Sequence, residues 1–259
     1  MKEVNLLLNP FWEGKDLGKS IPQSPHALSV SLPRWKDVIA YEEKDPKCIS
    51  ALNSIYPRFG LNPLVNEVAQ KALTNNSNSE FLAWPYPNIL CAKKAREYCN
   101  KMTNVDRTLI KPVLGLSCLI TDKYSGPYAK SFWQHTGLGA SSRQAAIALN
   151  KEKSPSILDG ENAIDIVKGR LTELYSCPKE YITLHPSGMA ALRTAIELVT
   201  NLRPNKPTIQ IGFPYVDVLK LPQAIFNGGI LLKDTRETFL ESQFRKHNPA
   251  AIIIELPSN

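Results

Sequence analysis

No run in this chain of 259 residues approaches the roughly 20 consecutive apolar residues that a membrane-spanning helix needs. The opening stretch MKEVNLLLNPF lacks the long apolar core and small-residue cleavage site of a secretion signal, so a cytoplasmic protein is expected. The five cysteines, Cys48, Cys91, Cys99, Cys118 and Cys177, include no C-x-x-C pair. Neither a zinc site nor a disulfide framework is indicated, and reduced, mostly buried thiols are expected. The absence of G-x-x-x-x-G-K-[ST] argues against a P-loop nucleotidase. HTGLGASS (His135 to Ser142) is no dinucleotide fingerprint, because no clear strand precedes it and no spaced acid follows. Acidic residues are the scarcer charge, 24 against 31 Lys and Arg, for a net charge of +7. That excess is scattered, and its densest knot (Lys93, Lys94, Arg96) suits a solvated helix face. With no zinc-finger, RNP-like or basic-zipper pattern, nucleic acid is not an expected partner; an anionic small ligand fits the charge as well.

Hydrophobic residues at 43% are enough for a real core at this length. Nine of the 20 prolines lie between Pro10 and Pro87 and interrupt regular structure there. Residues 1–154 therefore read as a Pro-rich, mostly helical region of short helices and extended segments. Asn62 and Pro63 predict the start of a helix through Leu64, Val68, Ala72 and Leu73, and a second helix carries Cys91, Ala95, Cys99 and Met102. Residues 155–259 alternate instead. An amphipathic helix (Ile164, Val167, Leu171, Leu174) leads to a short strand over Tyr181–Leu184, then a helix. Strands follow at Thr208–Phe213, Gly229–Leu232 and Ala250–Leu256, with helices between. This is the pattern of an α/β domain with a mostly parallel sheet, whose ligands gather at the carboxyl ends of its strands.

The most informative stretch is HPSGMAALRTAIELV, His185 to Val199. Ser187 and Gly188 hand over to a helix whose first backbone N–H groups are free to hold a phosphate, with the helix dipole behind them. Met189, Leu192, Ile196 and Val199 would bury one face. The same spacing also suits a strand, a turn and an ordinary core helix. Two further loops end strands on the same rim, one with Tyr215 and one with Asn259. Phosphate donors, an aromatic face and a polar amide together suit a flat phosphorylated cofactor, a description that pyridoxal 5′-phosphate meets. His135 and His185 read as structural histidines before general bases, His26 and His247 offer no constellation, and Trp35, Trp84 and Trp133 read as packing residues.

On these residues the chain resembles the Cys/Met-metabolism family of pyridoxal-phosphate enzymes, in particular the fungal-type cystathionine γ-synthases. SGM (Ser187 to Met189) is similar to the family's phosphate loop, FPYVDVLKL (Phe213 to Leu221) to the segment whose tyrosine stacks on the ring, and ELPSN (Glu255 to Asn259) to its E-x-P-S-N stretch. The fungal-type markers are SIPQSPHALSVSLPRWKDVIAYEE from Ser20, YPRFGLNPLV from Tyr56 and FWQHTGLGASSR from Phe132.

The resemblance implies a fold-type-I domain, truncated, in which Ser187, Gly188 and Met189 hold the cofactor phosphate. It further implies that Tyr215 covers the ring and that Asn259 sits near the phenolic oxygen. Arg143, with Arg58 as second candidate, is implied as the arginine that reaches a neighbouring subunit's phosphate; the bacterial Tyr-x-Arg arm motif is not visible. The implied activity is γ-replacement, joining an O-acyl-homoserine and cysteine into cystathionine, with a cystathionine or methionine lyase, or a non-catalytic partner subunit, as alternatives. A phosphate-ligand or nucleic-acid binding module is a third class. The family's cofactor-linking lysine and pyridine-pairing aspartate fall downstream of Asn259, and Lys206, Lys220 and Lys233 lie in no motif that replaces them. The chain alone is thus expected to be inactive, with a homo-oligomeric neighbour or a complementing C-terminal half as partner.

Overall fold

The computed structural model describes residues 5–55, 59–74 and 80–256. The chain forms two compact units, Met1–Gly126 with Gly139–Lys153, and Pro127–Leu138 with Ser154–Asn259. The first opens with a short antiparallel pair, β1 (Ser20–Ile21) and β2 (Ser29–Val30), then helices α1 (Trp35–Glu42) and α2 (Pro46–Ala51). Helix α3 (Pro63–Leu73) begins as its sequence predicts: Asn62 Oδ1 accepts the Leu64 N–H at 2.9 Å. Pro63 takes the first helical position, where a missing N–H leaves nothing unpaired.

Three antiparallel strands follow, β3 (Leu82–Tyr86), β4 (Thr108–Val113) and β5 (Leu116–Thr121), with helix α4 (Ile89–Thr103) after the first. Val65, Val68 and Ala72 of α3 pack against Ala83, Cys118 and Ile120 of this sheet as one core. Helix is still the larger share of the regular structure in residues 1–154, but the prolines gave no sign of this sheet. Pro85 and Pro112 lie in β3 and β4, the two outer strands of the order β3–β5–β4. An edge strand tolerates a residue that cannot donate to a ladder, so proline there does not break a sheet.

Helix α5 (Gly126–Thr136) leads into the second unit, and α6 (Ser142–Ala148) returns to the first. His26, expected to stand alone, sits between two partners in that unit: its Nδ1 lies 3.0 Å from Ser142 Oγ and its Nε2 2.6 Å from Glu152 Oε1. Trp84 and Trp133 are buried as expected, whereas Trp35 opens α1 with 76% of its surface exposed.

The second unit continues with α7 (Ile157–Tyr175), α8 (Gly188–Leu202), β6 (Thr208–Ile211), α9 (Val216–Ile225), β7 (Gly229–Leu232), α10 (Glu237–His247) and β8 (Ala251–Ile254). Its sheet runs β7–β6–β8, every pair parallel, with β6 buried along its whole length. Ile209, Ile211 and Leu232 form its core, covered by Phe239, Leu240 and Phe244. The alternation of strand and helix thus builds the parallel layer it predicts, while the sheet of the first unit is antiparallel.

Two expectations fail here. Residues Tyr181–Leu184 form no strand: a 3₁₀ turn at Lys179–Tyr181 runs into irregular chain. The segment joins neither free edge of the β7–β6–β8 sheet, and an extended segment without a partner ladder gains no hydrogen bonds. Helix α7 is helical over the predicted span but buries none of its residues, so the stripe of Ile164, Val167 and Leu174 faces outward.

Candidate functional site

Ser187 is the N-cap of α8. Its backbone is extended (φ −157°, ψ 160°), and its Oγ accepts the Ala190 N–H at 3.2 Å. A serine cap of this kind is worth about 1 kcal/mol. The cap consumes only one of the first-turn donors and leaves the N–H groups of Gly188 and Met189 without an intrahelical partner. Ser187 and Gly188 are exposed, Met189 is half-buried, and nothing lies within 4 Å of where a Gly188 Cβ would stand. The first turn of α8 is therefore an open set of donors at the positive end of a helix of 15 residues.

The face that α8 buries is rotated by one residue from the predicted stripe. Ala190, Arg193, Ile196 and Thr200 are buried, while Met189, Leu192 and Val199 are only half-buried. Arg193, unremarked in the sequence, is 7% exposed and pairs with Glu197 at 2.5 Å.

Tyr215 stands at the carboxyl end of β6. Gly212, with φ +83°, ends the strand there, and Tyr215 is the N-cap of α9. The half-buried Tyr215 donates its backbone N–H to Glu255 Oε2 at 2.6 Å. Since β6 and β8 are parallel neighbours, this bond ties together the loops at their two carboxyl ends. The rim inferred from the alternation exists for these two loops. Asn259 lies outside the described residues, as does Arg58.

A residue set that sequence reasoning left as structural joins α8 to α9. His135, in the last turn of α5, places Nδ1 3.3 Å from Oδ1 of Asp217, in the first turn of α9. Both side chains are buried, 10% and 4% exposed. Asp217 sits at a helix N-terminus, whose partial positive charge suits a carboxylate. Two residues on, Gly137 has φ +64°, and a Cβ there would lie 2.6 Å from Ser187 Oγ and 2.7 Å from the Ala190 nitrogen. Only glycine fits, because both the backbone region and the contact exclude a side chain. The turn His135–Thr136–Gly137 thus touches the first turns of both α8 and α9. The sequence signal was the glycine after the histidine, which a search for dinucleotide motifs discards.

No protein-family model matches the chain, and no solved structure matches it. It is 25% identical over 177 residues to the cystathionine γ-synthase of Saccharomyces cerevisiae, covering 61% of this chain and 28% of that protein. It is 27% identical over 156 residues to the cystathionine γ-synthase of Neurospora crassa, covering 50% and 25%. An L-2-amino-4-chloropent-4-enoate dechlorinase/desaturase of Streptantibioticus cattleyicolor is 27% identical over 261 residues, covering 93% of this chain and 51% of that enzyme. The chain is similar to cystathionine γ-synthases. It spans between about a quarter and a half of the length of these curated relatives.

Arg143 is exposed at the start of α6, in the first unit. Lys220 is exposed on α9, Lys233 is exposed just past β7, and Lys206 is half-buried before β6. Cys48, Cys99, Cys118 and Cys177 are free thiols. Among the described residues no cluster of His, Cys, Asp or Glu could hold a metal, and no helix is long and apolar enough to cross a membrane.

Proposed function

We propose that this chain is the cofactor-binding portion of a fold-type-I, pyridoxal-phosphate-dependent enzyme of the cystathionine γ-synthase kind. The observation that carries the proposal is the His135–Gly137 turn, which meets the first turn of α8 through Gly137 and that of α9 through His135. The donor set fits the cofactor's phosphate. Backbone N–H groups of Gly188 and Met189 point out of the helix end, Ser187 Oγ stands beside them, and the space over Gly188 is open. Tyr215 offers its ring face to the pyridine from the α9 side, and the Glu255 bond to its N–H fixes the backbone from which that ring projects.

Bound there, pyridoxal phosphate supplies an electron sink for the carbon next to a substrate amine. The work of this chain's residues is to bind and orient. The α8 turn neutralises the phosphate, Tyr215 excludes water from one face of the ring, and Asn259 meets its polar edge. Arg143 serves the phosphate of a neighbouring subunit. The substrates are an O-acyl-homoserine, which loses its acyloxy group as a carboxylic acid, and cysteine, whose sulfur takes that position to give cystathionine. No lysine of these 259 residues stands in a motif like the family's cofactor-linking one, so cystathionine formation calls for more than this stretch.

Titration of the chain with pyridoxal phosphate, followed by absorbance and fluorescence, should show saturable binding. Gly188→Asp should weaken it at least about 10-fold by placing a carboxylate at the phosphate donors. The open space at Gly188 lets that side chain in without a clash. Adding the C-terminal half of a relative should restore cystathionine formation. Failure of the wild-type chain to bind the cofactor would sink the proposal.

A further inference from the structure

We infer that His135 is a positioning residue that sets the ring-binding half of the site against its phosphate-binding half. The inference rests on the cofactor reading above and gives one residue of the turn that carries it a role of its own. Three consecutive residues do two jobs. His135 reaches Asp217 at 3.3 Å, two residues beyond Tyr215, and Gly137 lies against Ser187 and Ala190. The turn between them has little freedom: Thr136 Oγ1 donates to Phe132 O at 2.6 Å, and Gly137 ends α5 in the left-handed region. Helix α5 is anchored by buried Ala129, Phe132 and Trp133.

The first turn of α9, a helix that also packs against α8 and β7, is held to α5 by a buried imidazole–carboxylate contact. The first turn of α8 takes its position from direct backbone contact with that helix's end. Remove the imidazole, and α9 loses this contact to α5 while the Gly137 contact to α8 survives. The two halves of the ligand then separate. The ring should be held less well, and the phosphate should be held as before.

That asymmetry is testable with the 259-residue chain and two probes, pyridoxal phosphate and inorganic phosphate as its competitor. His135→Ala should weaken pyridoxal phosphate about 10-fold and abolish the circular dichroism induced in the bound ring, as tight packing against Tyr215 is lost. The inhibition constant of inorganic phosphate should stay within about twofold, because its donors are backbone groups of α8. Asp217→Asn should reproduce the His135→Ala pattern. His135→Gln, whose amide can still meet Asp217, should recover part of the affinity and part of the dichroic band.

If His135→Ala fails to fold, the His135→Gln and Asp217→Asn comparison carries the test. Wild-type affinity and dichroism in both of these would overturn the inference. So would an equal loss for both probes, which marks general damage. A wild-type chain that binds neither probe overturns the cofactor reading and this inference with it. Binding by the wild type with unaffected variants overturns this inference alone.

Discussion

Cys99 and Cys118 show how burial turns a reactive side chain into an inert one. Both are fully buried, and desolvation pushes each thiol from its ordinary 9.0 up to about 12. Cys48, also buried, is raised in the same direction and for the same reason. Thiolate is the reacting form, so these three should resist a thiol reagent at pH 8, leaving half-buried Cys91 and Cys177 to react first. Mass spectrometry of the labelled chain before and after unfolding checks this; rapid labelling of Cys118 in the folded chain would contradict it. The same shift has a pH consequence. Below pH 9 a thiol is protonated in folded and unfolded chains alike. Between 9 and about 12 the unfolded chain releases a proton that the folded one keeps. The stability contributed by these thiols is therefore complete below pH 9 and is lost as pH rises through that window. Denaturation midpoints measured from pH 8 to 11 should fall progressively, and less so in Cys118→Ala.

At the scale of elements, local chemistry and tertiary context part company at identifiable places. The Asn62–Pro63 start of α3 was legible because cap and first turn are decided within four residues, and the strands of the second unit because an apolar run between helices has few other uses. The antiparallel sheet was hidden by Pro85 and Pro112, whose edge positions depend on a strand order that no local window contains. The false strand at Tyr181–Leu184 has a different cause: its residues favour extension, but the chain does not bring them to either free edge of the sheet. For the site, the phosphate turn was legible from Ser187 and Gly188. The His135–Asp217 contact was not, since its members stand far apart in the chain. The β4–β5 hairpin also went unread. Its loop is Leu114–Gly115, with φ +51° and +81°, closing on the Val113–Leu116 pair. Leucine is a poor occupant of that first position: holding it at positive φ costs about 1–2 kcal/mol. Leu114 is 48% exposed and gives up little packing when replaced. Leu114→Asn, which creates the favoured Asn-Gly turn, should raise stability by about 1 kcal/mol, read as a shift in the urea midpoint with unchanged slope. No gain would mean that Leu114 packs more than its exposure suggests.

On the scale of the whole molecule, the question is what the second unit leaves uncovered. Helix α7 has 19 residues, a serine cap at Ser156 that accepts the Asp159 N–H at 3.0 Å, and no buried residue. Ile164, Ile166 and Leu174 are 50%, 56% and 71% exposed. Strand β8 is an outer strand of its sheet, with Ile252 and Ile254 exposed. An isolated helix of this length is marginal in water, since most helical stability in proteins comes from packing an apolar face. Helix α3 is the internal contrast, because it is shorter yet buries Leu64, Val65, Val68, Ala69 and Ala72. If a complementing half completes the site, the apolar stripe of α7 and the edge of β8 are the surfaces with most to gain from being covered. Hydrogen exchange separates the cases. In the chain alone, amides of 157–175 should exchange at least about 100-fold faster than those of α3, because their opening costs less than global unfolding. Addition of the complementing half should slow them selectively and reduce the fluorescence of a dye bound to exposed apolar surface. Protection of α7 equal to that of α3 in the chain alone would show that α7 needs no cover, and the case for a partner would then rest on the resemblance by itself.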